Sequence, residues 1–207
     1  MLIKKNPPFG GFFLSWRNTY FCTIIQKMKP KVLLSDKKIN IILNRLCYQL
    51  IERHGDFSNA VLVGLQPRGT LLLDRLVELL IKSGIDQPKI GKLDTTFFRD
   101  DFRRSERPLN ANATVMNQSV EGKDVVLIDD VLFTGRSIRS ALTAIDTYGR
   151  PKSIELLVLV DRRFSRHLPI QPDYLGAQID ALQGDKVKVV WSEKETENTV
   201  YLEKHLE

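Results

Sequence analysis

Cysteine is scarce in this sequence, and long hydrophobic runs are missing. The 207-residue chain contains only Cys22 and Cys47, which cannot make a disulfide framework and have no metal-ligand spacing around them. No apolar run reaches the roughly 18 residues that a membrane-spanning helix needs, which excludes a helical membrane protein. With 43% hydrophobic residues, the chain can form the core of one ordinary domain. A reducing, cytoplasmic setting is therefore expected.

An excess of positive charge is also absent from most of the chain. The formal net charge is +6, but residues 1–27 contain four basic and no acidic side chains. Residues 28–207 then contain 27 basic and 25 acidic side chains. The main part of the chain is nearly neutral, unlike a strongly basic nucleic-acid-binding domain.

Residues 1–27 differ in composition from the rest. They include paired prolines, paired glycines and scattered aromatics without a steady hydrophobic period. They lack the unbroken apolar core and small-residue cleavage site of a secretory signal. Met28 begins MKPKVLLSD, a stretch typical of a natural amino terminus. We expect residues 1–27 to be a disordered extension or a mis-assigned start, and residues 28–207 to form one domain.

Apolar spacing predicts alternating helices and strands. Apolar residues three and four apart indicate helices, and short continuous apolar runs indicate buried parallel strands. The predicted helices cover 36–54, 70–82 and 135–148, and the predicted strands cover 60–65, 89–98, 125–130, 154–160, 174–179 and 187–191. This alternation is typical of an α/β fold with a parallel sheet. Residues 99–113 are charged and poor in apolar side chains, which predicts a lid or a disordered loop.

The segment VVLIDDVLFTGRS, residues 125–137, is the most informative part of the sequence. A hydrophobic strand ends in Asp129 and Asp130, and a loop with Thr, Gly and Ser opens the next helix. A helix N-terminus offers unpaired amides to a phosphate, and two carboxylates suit a sugar diol or a magnesium ion. The spacings of a Walker A loop and a dinucleotide fingerprint are absent. The segment therefore predicts a sugar-phosphate site.

This segment resembles the 5-phosphoribosyl-1-diphosphate (PRPP) signature of type I phosphoribosyltransferases. More narrowly, the chain resembles the bifunctional pyrimidine operon attenuator/uracil phosphoribosyltransferase family over about residues 30–205. The matching stretches are VGLQPRG (63–69), RDD (99–101), DDVLFTGRSIRSAL (129–142), YGRP (148–151), VLVDR (158–162) and LPIQPDYLG (168–176). The resemblance implies an α/β, type I phosphoribosyltransferase fold. Such a fold has a central, mostly parallel sheet flanked by helices, with a small hood and a flexible lid loop.

The resemblance also implies an activity, the conversion of uracil and PRPP to UMP and diphosphate, with Mg²⁺ carried by PRPP. It assigns the ribose hydroxyls to Asp129 and Asp130, which would also help to bind Mg²⁺. It assigns diphosphate to Arg68 and Gly69. The implied 5′-phosphate residues are Thr134, Gly135, Arg136 and Ser137.

The charged stretch 99–113 matches the family's loop that closes over PRPP. Its arginines would screen the diphosphate, and Arg99 joins Asp129, Asp130 and Arg68 as a catalytic candidate. The other lid candidates are Arg103, Arg104 and Arg107.

Base recognition is assigned to a hood after the fourth core strand. The candidates are Asp161, Arg162 and the region of Ile179. Three isolated histidines, His54, His167 and His205, are interpreted as surface or structural residues.

The same family binds pyrimidine-operon leader RNA when UMP is bound, and the resemblance implies a homo-oligomer. The candidate RNA-binding residues are Arg45, Arg53 and Arg150. However, Asn44 and Tyr48 stand where the known regulators carry Thr and His, and the segment RFSR (163–166) replaces their Gly-His-Arg. These departures favour an enzyme with ordinary surface arginines. The alternatives are a phosphoribosyltransferase for another base, such as hypoxanthine or orotate, and a nucleotide-sensing regulator with little turnover.

Overall fold

Two β-sheets and three α-helices organise the part of the chain that the structure describes. The structure is a computed structural model, and it describes residues 30–98, 112–181, 184–192 and 197–204. The elements in chain order are β1 (Lys31–Leu34), α1 (Asp36–His54), β2 (Ala60–Leu65), α2 (Gly69–Lys82), β3 (Lys89–Leu93), β4 (Asp124–Leu132), α3 (Arg136–Ile145), β5 (Ser153–Arg163), β6 (Tyr174–Asp180), β7 (Lys186–Val190) and β8 (Thr199–Glu203). The predicted extension at residues 1–27 lies outside the described residues.

The central sheet has five parallel strands in the order β3-β2-β4-β5-β6. Helices α1 and α2 cover one face with a core that includes Leu46, Leu76 and Ile128. Helix α3 covers the other face, where Ile138 and Ala141 pack on strand residues. Because helices cover both faces, the inner strand β2 is wholly apolar and buried. The predicted α/β fold with a parallel sheet is confirmed.

A smaller antiparallel sheet, ordered β1-β8-β7, forms the hood. It joins the first and last described strands of the chain. It packs on the core beneath α1 and α2 through Leu34, Val189 and Val200, and the Asn198 side-chain amide donates to Asp36 at 2.8 Å. In addition, the Arg75 guanidinium lies 4.4 Å from the centroid of a Trp191 ring. The described helices do not include one that is long and apolar enough to cross a bilayer.

Three predicted boundaries near the strand ends are wrong. Strand β3 ends at Leu93, and Thr96–Phe98 forms a short 3₁₀ helix instead of continuing the strand. Strand β4 continues to Leu132, so its two carboxylates lie within a paired strand. Strand β5 continues to Arg163, because its last residues pair with β6 as far as Asp180.

Asp94 accounts for the early end of β3. Its carboxylate accepts a hydrogen bond from the Thr96 amide at 2.6 Å and another from the Asn112 amide. Its own amide donates to the Thr114 hydroxyl at 3.0 Å. Burial raises the pKa of Asp94, but the hydrogen bonds from Thr96 and Asn112 outweigh it and hold the pKa below its ordinary value. Asp94 therefore ties the chain after β3 to the stretch before β4.

We expect Asp94→Asn to lower the free energy of unfolding by about 1–3 kcal/mol, because its NH₂ group would face a backbone donor. The pKa of Asp94 is lower in the native state than in the unfolded chain, so this stabilisation is present above about pH 4. It is lost as the pH falls through the native pKa. Urea denaturation of both proteins from neutral pH to about pH 3 measures the difference, with the exposed Asp86→Asn as control. An advantage of the wild type that does not shrink at acid pH contradicts the assignment.

Candidate active site

The candidate site lies at the carboxyl ends of β2 and β4, which are neighbours in the sheet. Gly64 pairs with Ile128, so the turn into α2 and the loop into α3 begin side by side. A Cβ atom at Gly69 would lie 2.3 Å from the Ile128 carbonyl oxygen and 3.1 Å from the Asp129 Cα. Glycine is therefore required where α2 begins against the end of β4. Ligands of open α/β sheets bind at such strand ends.

The two carboxylates at the end of β4 lie in a desolvated environment. Asp130 is only 5% exposed, and its Oδ2 atom has no hydrogen-bond partner among the described residues. The Asp130 amide donates to Asp129 Oδ1 at 2.9 Å. Burial raises the pKa of Asp129, and the adjacent Asp130 carboxyl raises it further. Burial also raises the pKa of Asp130, although the positive charge of Arg68 opposes this.

An unpartnered buried carboxylate oxygen costs folding free energy, so its presence points to a ligand. Hydroxyl groups or a cation bound beside Asp130 would satisfy it. Arg68 is exposed at the start of α2, close enough for its charge to act on both carboxyl groups. The strand ends thus combine a carboxylate pair with a cation that can receive an anionic group.

A cavity of about 390 Å³ lies along the loop between β4 and α3. Gly135 adopts a left-handed conformation, with φ of 88°, directly before α3. All four predicted phosphate residues line the cavity, together with Asp129 and His167. Helix amides, hydroxyls and the Arg136 guanidinium are the groups that bind phosphate.

His167 is exposed, as its interpretation as a surface residue predicts, but that interpretation omits its place at the site. It lines the phosphate cavity, and its amide donates to the Thr134 carbonyl at 3.1 Å. No sequence signal points to this role, because His167 lies in an irregular segment 33 residues after Thr134. His54, by contrast, is structural, since its Nε2 lies 3.0 Å from the buried Glu155 carboxylate.

The base candidates lie where β5 and β6 end in the central sheet, and not in the hood to which the sequence analysis assigned them. Arg162 pairs in register with Ile179, is 5% exposed, and has its guanidinium 4.0 Å from the Phe133 ring centroid. Its Nε has no partner among the described residues, and burial lowers the pKa of Arg162 despite the nearby Asp185. The Asp161 carboxylate is paired with Arg166. The lid candidates Arg99, Arg103, Arg104 and Arg107 lie outside the described residues.

Comparison with known proteins decides the family. Residues 31–196 match the phosphoribosyl transferase domain. The chain is 42% identical over 163 residues to the bifunctional protein PyrR of Streptococcus pyogenes. This match covers 78% of this chain and 90% of that protein. It is 38% identical over 177 residues to the bifunctional protein PyrR of a Thermoanaerobacter species, and this match covers 85% of this chain and 98% of that protein. The chain belongs to the bifunctional PyrR family. The family predicted from the sequence is therefore confirmed.

The fold also matches solved structures of more distant proteins. The hypoxanthine phosphoribosyltransferase of Trypanosoma cruzi superposes with a TM-score of 0.62 over 84% of this chain and 96% of that one, at 16% sequence identity. At that identity the likeness shows the fold alone. The type I phosphoribosyltransferase fold predicted from the sequence is thus confirmed.

The RNA-binding candidates of this PyrR-family chain lie on its surface in different settings. Arg45, on α1, donates to the Leu175 and Gly176 carbonyls at 2.8 and 2.6 Å. The Arg53 side chain is 70% exposed, with its Nε 3.3 Å from Glu155. Arg150 is exposed and follows α3. Arg45 is therefore committed to the protein's own backbone, whereas Arg53 and Arg150 remain accessible to a ligand.

Proposed function

We propose that this protein transfers the phosphoribosyl group of PRPP to uracil, forming UMP and diphosphate. The observation that supports it most is the juxtaposition at neighbouring strand ends of the carboxylate pair, the phosphate cavity and the Arg68–Gly69 turn. These three features match the hydroxyls, the 5′-phosphate and the diphosphate of PRPP. Membership of the PyrR family supports uracil as the base.

The reaction assigns each group a role. A bond forms between uracil N1 and the ribose C1 atom, the C1–O bond to diphosphate breaks, and the N1 proton is released. Positive charge develops at C1, and the Asp129–Asp130 pair stabilises it while binding the ribose hydroxyls. Arg68 and the backbone at Gly69 receive the negative charge of the departing diphosphate.

Phosphoribosyltransferases generally use Mg²⁺ together with PRPP, and the donor set here fits a metal carried by the substrate. Within the described residues there is no group of three or more His, Cys, Asp or Glu side chains that could hold an ion. Mg²⁺ demands about six oxygen ligands, so Asp129 and Asp130 would supply a minority and PRPP and water the rest. When bound, the ion neutralises charge on the diphosphate.

Base recognition is proposed for Asp161, Arg162 and Ile179, with Arg162 as the principal contact. Its buried, unpartnered Nε is a donor of the kind that a uracil carbonyl accepts. The same geometry accommodates other carbonyl-bearing bases, so specificity has to be measured directly.

The decisive assay follows UMP formation from uracil, PRPP and Mg²⁺, with hypoxanthine, guanine and orotate tested in parallel. We expect turnover with uracil only. Turnover with another base would retain the PRPP site and overturn the base assignment. Absence of turnover, with UMP still raising the melting temperature, would instead favour a nucleotide-sensing regulator.

A second function, UMP-responsive binding of pyrimidine-operon leader RNA, is favoured by the bifunctional character named for the relatives. A gel shift with such RNA should appear only with UMP and weaken steeply with salt. Arg150→Gln should reduce this shift without changing UMP formation, because Arg150 lies on the surface. The proposed homo-oligomer is checked by sedimentation in the same buffers.

A further inference from the structure

Residues 166–170, called the brace here, lie against the phosphate loop, residues 133–135. The Arg166 guanidinium donates to the Phe133 carbonyl at 2.6 Å. The next residue of the brace donates its amide to the Thr134 carbonyl at 3.1 Å. At Gly135, a Cβ atom would lie 3.2 Å from Ile170 Cδ1. Each of the three loop residues therefore meets the brace.

These contacts fix the direction of the loop amides. In a trans peptide the C=O and the following N–H point in opposite directions, and these peptides are trans. Carbonyls of Phe133 and Thr134 that face the brace therefore direct the amides of Thr134 and Gly135 away from it. Neither amide donates to another described residue. Both amides are left available for an anion in the cavity that Thr134 and Gly135 line.

Arg166 is itself held in place. Its other terminal nitrogen pairs with the Asp161 carboxylate, and the two side chains are only 22% and 9% exposed. On the same side, the Arg162 guanidinium lies over the Phe133 ring. The end of β5 thus fixes Arg166, and Arg166 fixes the loop. A lysine at this position has no planar fork with which to reach both acceptors.

We propose that Arg166 is a positioning residue, which orients the phosphate loop amides for the 5′-phosphate without itself contacting the substrate. The inference rests on the proposed function, because that function assigns the 5′-phosphate to this loop. It also gives Asp161 a role through Arg166, beyond the base contact proposed for it.

Binding measurements with two ligands distinguish this role from a general loss of structure. Under the proposed function, ribose 5-phosphate binds at the phosphate loop and diphosphate binds at the Arg68 turn. Since loss of a charge-assisted hydrogen bond commonly costs a factor of ten or more, we expect Arg166→Gln to raise the Kd for ribose 5-phosphate about tenfold. Its Kd for diphosphate with Mg²⁺ should stay within about twofold of the wild type. Arg166→Lys should show an intermediate loss, and the KM for PRPP should rise more than kcat falls.

The matched control is Arg163→Gln. Arg163 lies three residues away and pairs with the exposed Asp180 at 2.7 Å, and within the described residues it makes no hydrogen bond to the phosphate loop. It should bind ribose 5-phosphate as the wild type does. Equal losses for both ligands in Arg166→Gln, or an equal loss in the control, would overturn the inference, as would a wild type that does not bind ribose 5-phosphate. A wild type that binds it but forms no UMP would refute only the proposed function.

Discussion

Asp130→Asn is expected to reduce kcat/KM for UMP formation by about 10²–10³-fold, the effect of removing one preorganised electrostatic contact to a transition state. Asn keeps the shape of the side chain and loses its negative charge. The unpartnered Oδ2 of Asp130 is the atom best placed to accept a hydrogen bond from a ribose hydroxyl. Steady-state kinetics with PRPP and uracil measures the loss.

The same substitution should leave the free protein as stable as the wild type or more stable. Burial raises the pKa of Asp130, so the native state binds more protons than the unfolded chain. Its stability then falls as the pH rises from about 4 through the native pKa. Asn carries no charge, so the variant should melt higher than the wild type at neutral pH, and this difference should vanish at acid pH. Loss of activity with gain of stability is the expected behaviour of a functional residue.

Asp124→Asn is the matched control, because Asp124 lies at the other end of the same strand. Its carboxylate accepts a hydrogen bond from the Ser153 hydroxyl at 2.7 Å, which lowers the pKa of Asp124. This variant should lose stability at neutral pH and keep its activity. Wild-type kinetics in Asp130→Asn, or equal losses in both variants, would remove the ribose role from Asp130.

The sequence predicts the central sheet well, because strong local patterns form it. All six residues of β2 are buried, and this produces the continuous apolar run that indicates a parallel strand. Strands β1 and β8 were not predicted. They have four and five residues and pair with each other across almost the whole chain, so no local period reveals them.

The candidate site likewise has a part that a local sequence pattern reveals and a part that it does not. The carboxylates and the phosphate loop lie within one contiguous segment, and the residue types in that segment indicate what they bind. Asp94 and Arg166 act instead on backbone groups 18 and 33 residues away. A hydrogen bond to a distant carbonyl or amide leaves no requirement on the type of the residue that it contacts. Such roles become visible only when the fold brings the two segments together.

Gly69→Ala is expected to have the other large effect, on both stability and activity. Its Cβ would lie 2.3 Å from a backbone oxygen of β4, and backbone cannot move aside as a side chain can. Either α2 or the end of β4 must shift, at a cost of about 1–3 kcal/mol for an overpacked site. The shift separates the diphosphate turn from the Asp129–Asp130 pair. Since misplacement by 1 Å can cost a factor of about 10², kcat/KM should fall by at least that much.

Gly91→Ala shows whether this loss comes from backbone contact or from any added methyl group. Its Cβ would meet the Met116 sulfur at 2.2 Å, but that side chain is flexible and β3 lies at the edge of the sheet. We therefore expect a modest loss of stability and nearly normal kinetics. If both alanine variants retained the same kcat/KM, the close approach of α2 to β4 would not be what positions the diphosphate turn. A loss confined to Gly69→Ala means that the spacing between these two chain segments is itself part of the catalytic apparatus.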